Sequence, residues 1–195
     1  DAKFNGNLTS DKDLTILAKN NIITKEGATL YTKADGRLKA HSAELGGDVR
    51  ADGMLTIETD DTLTAKNVTA GGAATLNAGT NLTAQNVSAG GVATLNAGTD
   101  LTAQNVSAGK DAALTAGKNL SVRDVTAGGK AKITAGHDAA INGTVTTGGD
   151  LKARANNDLT VNSAISSHGM TQIDAGRDAK FNGNLTSDKD LTILA

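Results

Sequence analysis

Three histidines and 21 acidic residues are the side chains that could bind a metal ion or transfer protons. The histidines, His41, His137 and His168, occupy unrelated positions in the sequence pattern, and none lies among convergent carboxylates. A metal site needs several ligands that meet at one point, and acid–base catalysis needs a titratable group within hydrogen-bond reach of the proton that it transfers. We therefore predict that the histidines are solvated corner residues, and we assign no catalytic, cofactor-binding or metal-binding residue.

Asp and Asn also recur at intervals of 19 or 20 residues, in two series. The first series consists of Asn81, Asp100, Asn119, Asp138, Asp158 and Asp178, and the second of Asn67, Asn86, Asn105 and Asp124. Oxygen-rich clusters can bind calcium, but calcium-binding β-rolls carry the nonapeptide GGxGxDxUx, which this sequence lacks. We predict that the first series hydrogen-bonds to local backbone groups and that the second forms a ladder of stacked amides.

The stretch from Thr24 to Gly27 is the place where a protruding loop is expected. Its sequence unit, 11–32, has 22 residues, three more than the units of 19. Tyr31, His41 and Glu44 are near in the sequence, so a binding epitope at this loop is one hypothesis. The alternative is an insertion without function, because loop tips tolerate added residues.

Thr64, Thr83 and Thr102 recur at the same interval and predict an outward column of hydroxyl groups. Ice binding would require flat pairs of threonines, whereas this column continues as Ser121 and Ala140. We therefore assign no ice-binding function.

The elements that must position these side chains are internal repeats. Residues 71–89 (GGAATLNAGTNLTAQNVSA), 90–108 (GGVATLNAGTDLTAQNVSA) and 109–127 (GKDAALTAGKNLSVRDVTA) are consecutive units of 19, and the three units in 128–187 have 20 residues each. A repeat of this length is typical of a solenoid, in which each unit packs against its neighbours.

Within a unit, apolar and polar residues alternate in three short stretches. In unit 90–108 the stretches Ala93 to Ala97, Leu101 to Ala103 and Val106 to Ala108 are separated by Gly98-Thr99-Asp100, Gln104-Asn105 and Gly109-Lys110. Alternation with period two indicates half-buried strands, and Gly, Asn and Asp tolerate the positive φ of sharp corners. Three strands and three corners close one coil, and stacked coils would pair equivalent strands in parallel. We predict an all-β, right-handed parallel β-helix of triangular cross-section, with three short strands per coil and about ten coils over residues 1–195.

Large and small core residues exchange places between units. The second stretch usually has Leu-x-Ala, as at Leu82 and Ala84, whereas unit 128–147 has Ala139 and Ile141. Close-packed interiors tolerate exchanges that conserve volume. This compensation supports the assignment of these positions to one inward-facing rung.

The composition fits a narrow, fully paired core. Aromatic residues make up 2% of the chain and proline is absent, as expected where each interior strand needs all its N–H groups. The lack of cysteine excludes disulfide scaffolds, thiolate zinc sites and cysteine nucleophiles. The net charge of −2 gives no overall attraction to nucleic acid or anionic membranes, and no apolar run approaches the ~20 residues of a membrane-spanning helix.

The units resemble the repeats of filamentous haemagglutinin-like exoproteins, a family that includes contact-dependent growth-inhibition effectors. The likeness lies in Gly-rich corners and in Asn or Asp before an aliphatic residue, as in GGVATLNAGTDLTAQNVSA, and it covers essentially the whole chain. It implies a long bacterial protein, exported by an outer-membrane two-partner secretion transporter and displayed as a filament that carries adhesive or toxic regions to a host-cell or bacterial receptor. The family's secretion domain and toxin have no counterpart here, so the resemblance implies a mid-filament shaft segment.

A carbohydrate-active β-helix enzyme, similar to pectate lyase, is the alternative from another class. Such enzymes keep acids or bases on one face beneath long loops, whereas nearly every corner here has two to four residues. We therefore predict a structural and interaction protein rather than an enzyme.

Residues 1–18 (DAKFNGNLTSDKDLTILA) recur without change at 178–195, 177 residues later. The duplication falls in register after nine units, which indicates either a nine-coil super-repeat of a longer parent or a chain cut to overlap by one coil. Neither copy has a polar cap, and uncapped solenoid edges favour end-to-end association or fraying.

Overall fold

The computed structural model describes all residues from Asp1 to Ala195, and β-strands are its regular secondary structure. The first half of the chain forms β1 (Ala2–Phe4), β2 (Leu8–Ser10), β3 (Leu14–Leu17), β4 (Asn21–Thr24), β5 (Thr29–Thr32), β6 (Gly36–Ala40), β7 (Ser42–Ala51), β8 (Leu55–Thr59), β9 (Leu63–Ala70), β10 (Ala74–Ala78), β11 (Leu82–Ala89) and β12 (Ala93–Ala97). The second half forms β13 (Leu101–Ala108), β14 (Ala112–Ala116), β15 (Leu120–Ala127), β16 (Ala131–Ala135), β17 (Ala139–Ile141), β18 (Val145–Thr147), β19 (Leu151–Ala155), β20 (Leu159–Val161), β21 (Ile165–Ser167), β22 (Thr171–Ala175), β23 (Ala179–Phe181), β24 (Leu185–Ser187) and β25 (Leu191–Leu194). The chain has no helix that is long and apolar enough to cross a membrane.

Two sheets enclose a common core. The ten-stranded sheet, β3-β6-β8-β10-β12-β14-β16-β19-β22-β25, is called face one. In the 15-stranded sheet, face two consists of β1, β4, β17, β20, β23 and the first halves of the long strands β7, β9, β11, β13 and β15. Face three consists of β2, β5, β18, β21, β24 and the second halves of those long strands. Every pairing is parallel and joins equivalent residues of adjacent coils, such as Leu82 with Leu101, which confirms the predicted parallel β-helix.

The core is one column of aliphatic side chains along the axis of the stack. Fifty buried residues form a single cluster, and inward Leu95, Leu101 and Leu114 are fully buried. Thr102, which follows Leu101 on the same strand, is exposed. The inward and outward positions are therefore those that the alternation predicts.

Faces two and three are joined differently in the two kinds of coil. In a 19-residue coil, Gln104 and Asn105 lie between the inward residues of the two faces, and one bent strand continues from Leu101 to Ala108. In a 20-residue coil, three residues separate Ile141 from Val145, and the strand is interrupted. All three predicted stretches are present, but Gln104-Asn105 is a bend within β13, since Ala103 and Asn105 are both paired with the next coil.

Close packing, rather than positive φ, explains the glycines at the corners. Gly27 is the one residue with a positive φ, of 82°. At Gly98 a Cβ atom would lie 1.9 Å from the carbonyl oxygen of Gly79 in the preceding coil. Our expectation of positive φ at the corners is therefore wrong outside the protruding loop. The chain turns there with ordinary backbone angles, and glycine lets the corner of one coil lie close to the carbonyl oxygen of the preceding coil.

The predicted exchange of large and small residues is present in the core. Ala139 stacks between Leu120 and Leu159, and Ile141 in the same strand is fully buried. The smaller side chain at one inward position is thus offset by the larger one at the next.

Candidate functional site

The first Asp/Asn series forms a column at the corner between faces one and two, which we call the acidic column. The backbone N–H of Asp100 donates to Asn81 Oδ1 at 3.3 Å, and that of Asn119 donates to Asp100 Oδ1 at 3.1 Å. Each side-chain oxygen therefore accepts from the following coil. The predicted backbone partner exists, but it lies one coil away instead of in the same corner, because the side chains are directed along the stack where coils are only about 4.8 Å apart.

Carboxylates occupy three consecutive positions of the acidic column, Asp138, Asp158 and Asp178. Arg177 forms an ion pair with Asp158, and its Nε lies 3.7 Å from Asp178 Oδ2. A hydrogen bond from the backbone N–H of Asp158 lowers the pKa of Asp138, and the bond from Arg177 lowers the pKa of Asp158. Asp138 and Asp158 are thus stabilised as anions by groups of the chain itself.

The three histidines lie apart and are exposed. His137 Nδ1 lies 3.0 Å from the carboxylate of Asp138, and His168 Nδ1 lies 3.0 Å from the carbonyl oxygen of Thr147. No group of three or more His, Asp or Glu side chains is arranged to hold a metal ion. That the chain has no metal ligand stays a prediction.

The second series forms a ladder of side-chain amides on face three. The Nδ2 groups of Asn67, Asn86 and Asn105 each donate to the preceding member at 2.7 Å, beginning at Asp48 Oδ1. A carboxylate cannot donate, so Asp48 is a suitable first member. Because the residue after Asn105 in the series is an aspartate, Arg123 supplies the missing donor to Asn105 Oδ1 at 2.8 Å. The expected amide ladder is present, and its donors all point toward the preceding coil.

The expected protruding loop is present between β4 and β5. It lies over Gly46 and Gly47 of the next coil, where a Cβ atom on Gly47 would lie 1.9 Å from the carbonyl oxygen of Ala28. Glu26 Oε1 reaches Lys66 Nζ at 2.5 Å, and this bond lowers the pKa of Glu26 and raises that of Lys66. The loop is therefore held against two further coils.

The loop forms a wall of an open groove of about 560 Å³ on face two. The groove is lined by the outward side chains of Ile23, Glu44 and Thr64, with Lys3 and Lys66 beside them. Of the residues near the loop in sequence, the structure thus brings Glu44 to it. The groove offers carboxylate, ammonium and hydroxyl groups without an enclosed apolar pocket.

Tyr31 and His41, the other residues of the proposed epitope, lie elsewhere. Tyr31 is on face three, where its Oη donates to Asp52 at 2.6 Å and the Arg50 guanidinium lies 5.4 Å from the ring centroid. The bond to Asp52 raises the pKa of Tyr31. His41 lies at the corner between β6 and β7 and does not line the groove. Nearness in sequence therefore does not bring these two residues to the groove.

The outward threonine column lies on face two, where Thr64 and Thr83 line this groove. Thr64, Thr83 and Thr102 occupy equivalent positions of adjacent coils, followed by Ser121 and Ala140 as the sequence indicates. The hydroxyl groups form a single row.

Two features that define the groove, a pair of glycines and a lysine, were not predicted from the sequence. The pair Gly46-Gly47 seats the loop, and its position inside an alternating stretch, where glycine indicates a bulge or a close approach, was an available signal. Lys66 gave no signal, because its contact with Glu26 spans 40 residues.

The haemagglutinin repeat family model matches residues 5–67, 34–138 and 126–195. These overlapping stretches include the loop groove, the acidic column and the amide ladder. No curated protein and no solved structure matches the chain. The repeat pattern of the sequence and the parallel coils of the structure agree with this match, and the chain belongs to the haemagglutinin repeat family.

Proposed function

We propose that this chain is a shaft segment of a secreted, surface-displayed bacterial filament, either an adhesin or a contact-dependent growth-inhibition effector. The observation that carries the proposal is the continuous ladder of ten strands from β1 to β23. Its nine steps of about 4.8 Å give a length of about 43 Å. Such a stack grows by a fixed increment with each repeat and keeps its ends at a defined separation, as a shaft requires.

The family match and the surface support this role. The haemagglutinin repeat family is of a structural, adhesin type, which favours a shaft over the carbohydrate-active enzyme that the sequence left as the alternative. Outside the loop between β4 and β5, the corners are short and the outward positions of the central coils are largely Thr, Asn and Ser. Receptor-binding or toxic regions are assigned to other parts of a longer parent.

A direct test is to place residues 1–195 between an outer-membrane anchor and an epitope on a bacterial surface. Duplicating unit 90–108 once, twice or three times should move the epitope outward by about 4.8 Å per added coil, measured by fluorescence distance from the membrane. A Gly/Ser linker of equal residue count is the control, because the mean span of a flexible chain grows with the square root of its length. Square-root growth for the repeats as well would contradict the shaft role.

Export by a two-partner secretion transporter is also part of the proposal. The chain has no cysteine, so no disulfide can fix it before export through an oxidising periplasm. Thr83 and Thr102 are register partners in adjacent coils, and Thr83→Cys/Thr102→Cys should reduce export unless reductant is added. Each single cysteine variant is the matched control; export of the oxidised double variant at the level of the controls would contradict this route.

A second role, local binding at the loop groove, is favoured by the fixed position of the loop. The close approach to Gly47 and the bond from Glu26 to Lys66 hold it beside an open groove. Deleting Lys25 to Gly27 should then reduce binding of the purified chain to cells or to a glycan array. Lys118→Gln, at an exposed corner outside the groove, is the control, because it leaves the loop and its ion pair intact. Unchanged binding after the deletion would retire the site.

A further inference from the structure

Two lysines of the inner coils, Lys132 on β16 and Lys152 on β19, are register partners on face one and are both exposed. Where two other charged residues are register partners, their signs are opposite: Lys39 pairs with Glu58, and Arg154 pairs with Asp174. Like charges directly opposite one another on neighbouring strands are destabilising. The lysine pair is therefore unfavourable for the sheet that carries it.

The outward position that holds these lysines does not require them. In the three preceding coils the same position holds Thr75, Thr94 and Ala113. Threonine is enriched in strands, whereas lysine is depleted. The two lysines thus oppose sheet stability through both their propensity and their mutual repulsion.

The carboxylates beside the two lysines are engaged by other groups. Lys130 Nζ lies 3.0 Å from Asp150 Oδ2, and Asp150 Oδ1 accepts from the N–H of Met170 at 3.0 Å. Asp174 Oδ2 lies 3.7 Å from Arg154 Nε. Neither member of the lysine pair forms an ion pair within the chain, so two ammonium groups remain uncompensated side by side.

The pair lines an open groove of about 290 Å³ on face one. Gln172, the register partner of Lys152 in the next coil, also lines it, and so does Met170, which is 48% exposed. Because the strands are about 4.8 Å apart, the two flexible side chains can approach one small anion from two sides. The groove thus offers two cations, an amide and an apolar contact in one place.

We propose that Lys132 and Lys152 bind a phosphate monoester, with the side-chain amide of Gln172 as a further hydrogen-bond donor. A phosphate monoester carries a charge of about −1.5 to −2 at pH 7, which matches the two uncompensated ammonium groups. A carboxylate or a sulfate ester carries a single negative charge and would leave one cation uncompensated. Lysine binds phosphate as a point charge, so the site does not depend on a rigid fork geometry.

The proposal goes beyond the role of the chain as a shaft and does not depend on it. The net charge of the chain is −2, so attraction to an anion has to come from local placement of cations. The alternative is that the pair is solvated and that mobile counterions screen its repulsion. Screening does not distinguish a phosphate monoester from other anions, and this difference separates the two explanations.

Titration of the full chain with methyl phosphate, followed by amide NMR chemical shifts, tests the site. At about pH 8, where the monoester is a dianion, we expect saturable shifts centred on β16 and β19. Methyl sulfate has nearly the same shape and a single charge, and it should bind more weakly. Equal affinity for the two esters, or shifts that do not saturate, would overturn the assignment.

Two double variants show whether the lysine pair is responsible. Lys132→Gln/Lys152→Gln should weaken the binding of methyl phosphate by about 25-fold, or about fivefold for each lysine removed. Lys118→Gln/Lys180→Gln is the matched control, because it removes two exposed positive charges outside the groove. An equal loss of affinity in both double variants would overturn the proposal, as would no loss in the first.

Thermal unfolding provides a measurement that does not rely on binding shifts. In phosphate-free buffer of low ionic strength, Lys152→Gln should raise the Tm, because it removes the like-charge pair. Added methyl phosphate should raise the Tm of the unaltered chain, since a ligand that binds the folded state stabilises it, and should raise that of Lys132→Gln/Lys152→Gln less. A Tm that Lys152→Gln lowers, or an equal effect of methyl phosphate on both proteins, would contradict the proposal.

Vesicles distinguish a lipid headgroup from a soluble phosphate monoester as the source of the ligand. Phosphatidic acid in phosphatidylcholine presents a phosphate monoester, whereas phosphatidylglycerol presents a diester of single charge and is the control. Preferential binding to phosphatidic acid vesicles would support the site with a lipid headgroup as its ligand. Binding to methyl phosphate without binding to these vesicles would support it with a soluble ligand. Equal binding to the two kinds of vesicle, or binding to neither vesicles nor methyl phosphate, would overturn it.

Discussion

The exchange of large and small core residues can be tested at Leu101 and Ala103. Leu101 is fully buried between Leu82 and Leu120, and Ala103 is 3% exposed. Leu101→Ala removes three carbon groups, worth about 2.4 kcal/mol of transfer free energy, and the cavity brings the total cost to about 2–5 kcal/mol. Ala103→Ile adds three carbon groups to a packed rung and should cost about 1–3 kcal/mol.

The double variant Leu101→Ala/Ala103→Ile has the arrangement that Ala139 and Ile141 show in a natural coil of this chain. Its core volume is conserved, so we expect a cost below about 1.5 kcal/mol. The two single costs sum to about 3–8 kcal/mol. The double-mutant cycle should therefore show a favourable coupling free energy between the two substitutions of at least about 1.5 kcal/mol.

The assay is urea unfolding followed by far-ultraviolet circular dichroism at one low protein concentration. An unchanged slope of the unfolding free energy with urea would show that the same surface unfolds in each variant. Leu101→Ala/Ala153→Ile is the control, because the distant Ala153 cannot fill the cavity and its cost should add. Additivity within about 0.5 kcal/mol for the adjacent pair would refute volume compensation within a rung.

Leu101→Asp should unfold its part of the stack by burying an unpaired charge, whereas Thr102→Asp, at an exposed position, should change the free energy of unfolding by less than about 0.5 kcal/mol. Equal changes in the free energy of unfolding, measured with urea, would contradict the inward and outward assignment. Gly98→Ala should lower the Tm because its Cβ would lie 1.9 Å from the Gly79 carbonyl oxygen. Lys118→Ala, at an exposed position of the next equivalent corner, should leave the Tm nearly unchanged; similar melts would contradict the steric role of the glycine. Stability should fall as the pH decreases below about 4, because six carboxylates have folded-state pKa values below their ordinary values of 3.8 for Asp and 4.5 for Glu. Their contribution is fully present above the ordinary values and is lost as the pH falls through the lowered values. Urea unfolding between pH 6 and pH 2 measures this loss, and a constant midpoint would contradict it. The carboxylates are Glu26, Asp52, Asp124, Asp138, Asp150 and Asp158.

The coil architecture could be predicted because its information is local and repeated. The alternation of Leu101, Thr102 and Ala103 sets inward and outward faces, and the interval of 19 residues sets the register between coils. The junction of faces two and three could not be predicted in the same way. Whether Gln104 and Asn105 break the ladder depends on how far two residues can turn a paired strand, and both residue types are compatible with a turn.

The site was less predictable because it depends on contacts between coils. Glu26 meets Lys66 across 40 residues, and no pattern in either unit indicates the pairing. The role of Gly98 was misassigned for a different reason. Positive φ and close approach of a neighbouring carbonyl both select glycine, so the residue type alone does not distinguish them.

The direction of the interstrand hydrogen bonds has a mechanical consequence. They run along the axis of the stack, so tension applied along this axis loads the bonds of one coil lengthwise instead of shearing all coils together. Coils should therefore open one at a time. Each opened coil of 19 residues supplies about 63 Å of extended chain in exchange for about 4.8 Å of stack. A structure that is stiff at rest can thus lengthen more than tenfold per coil under load, and it would dissipate an applied pull in many small steps.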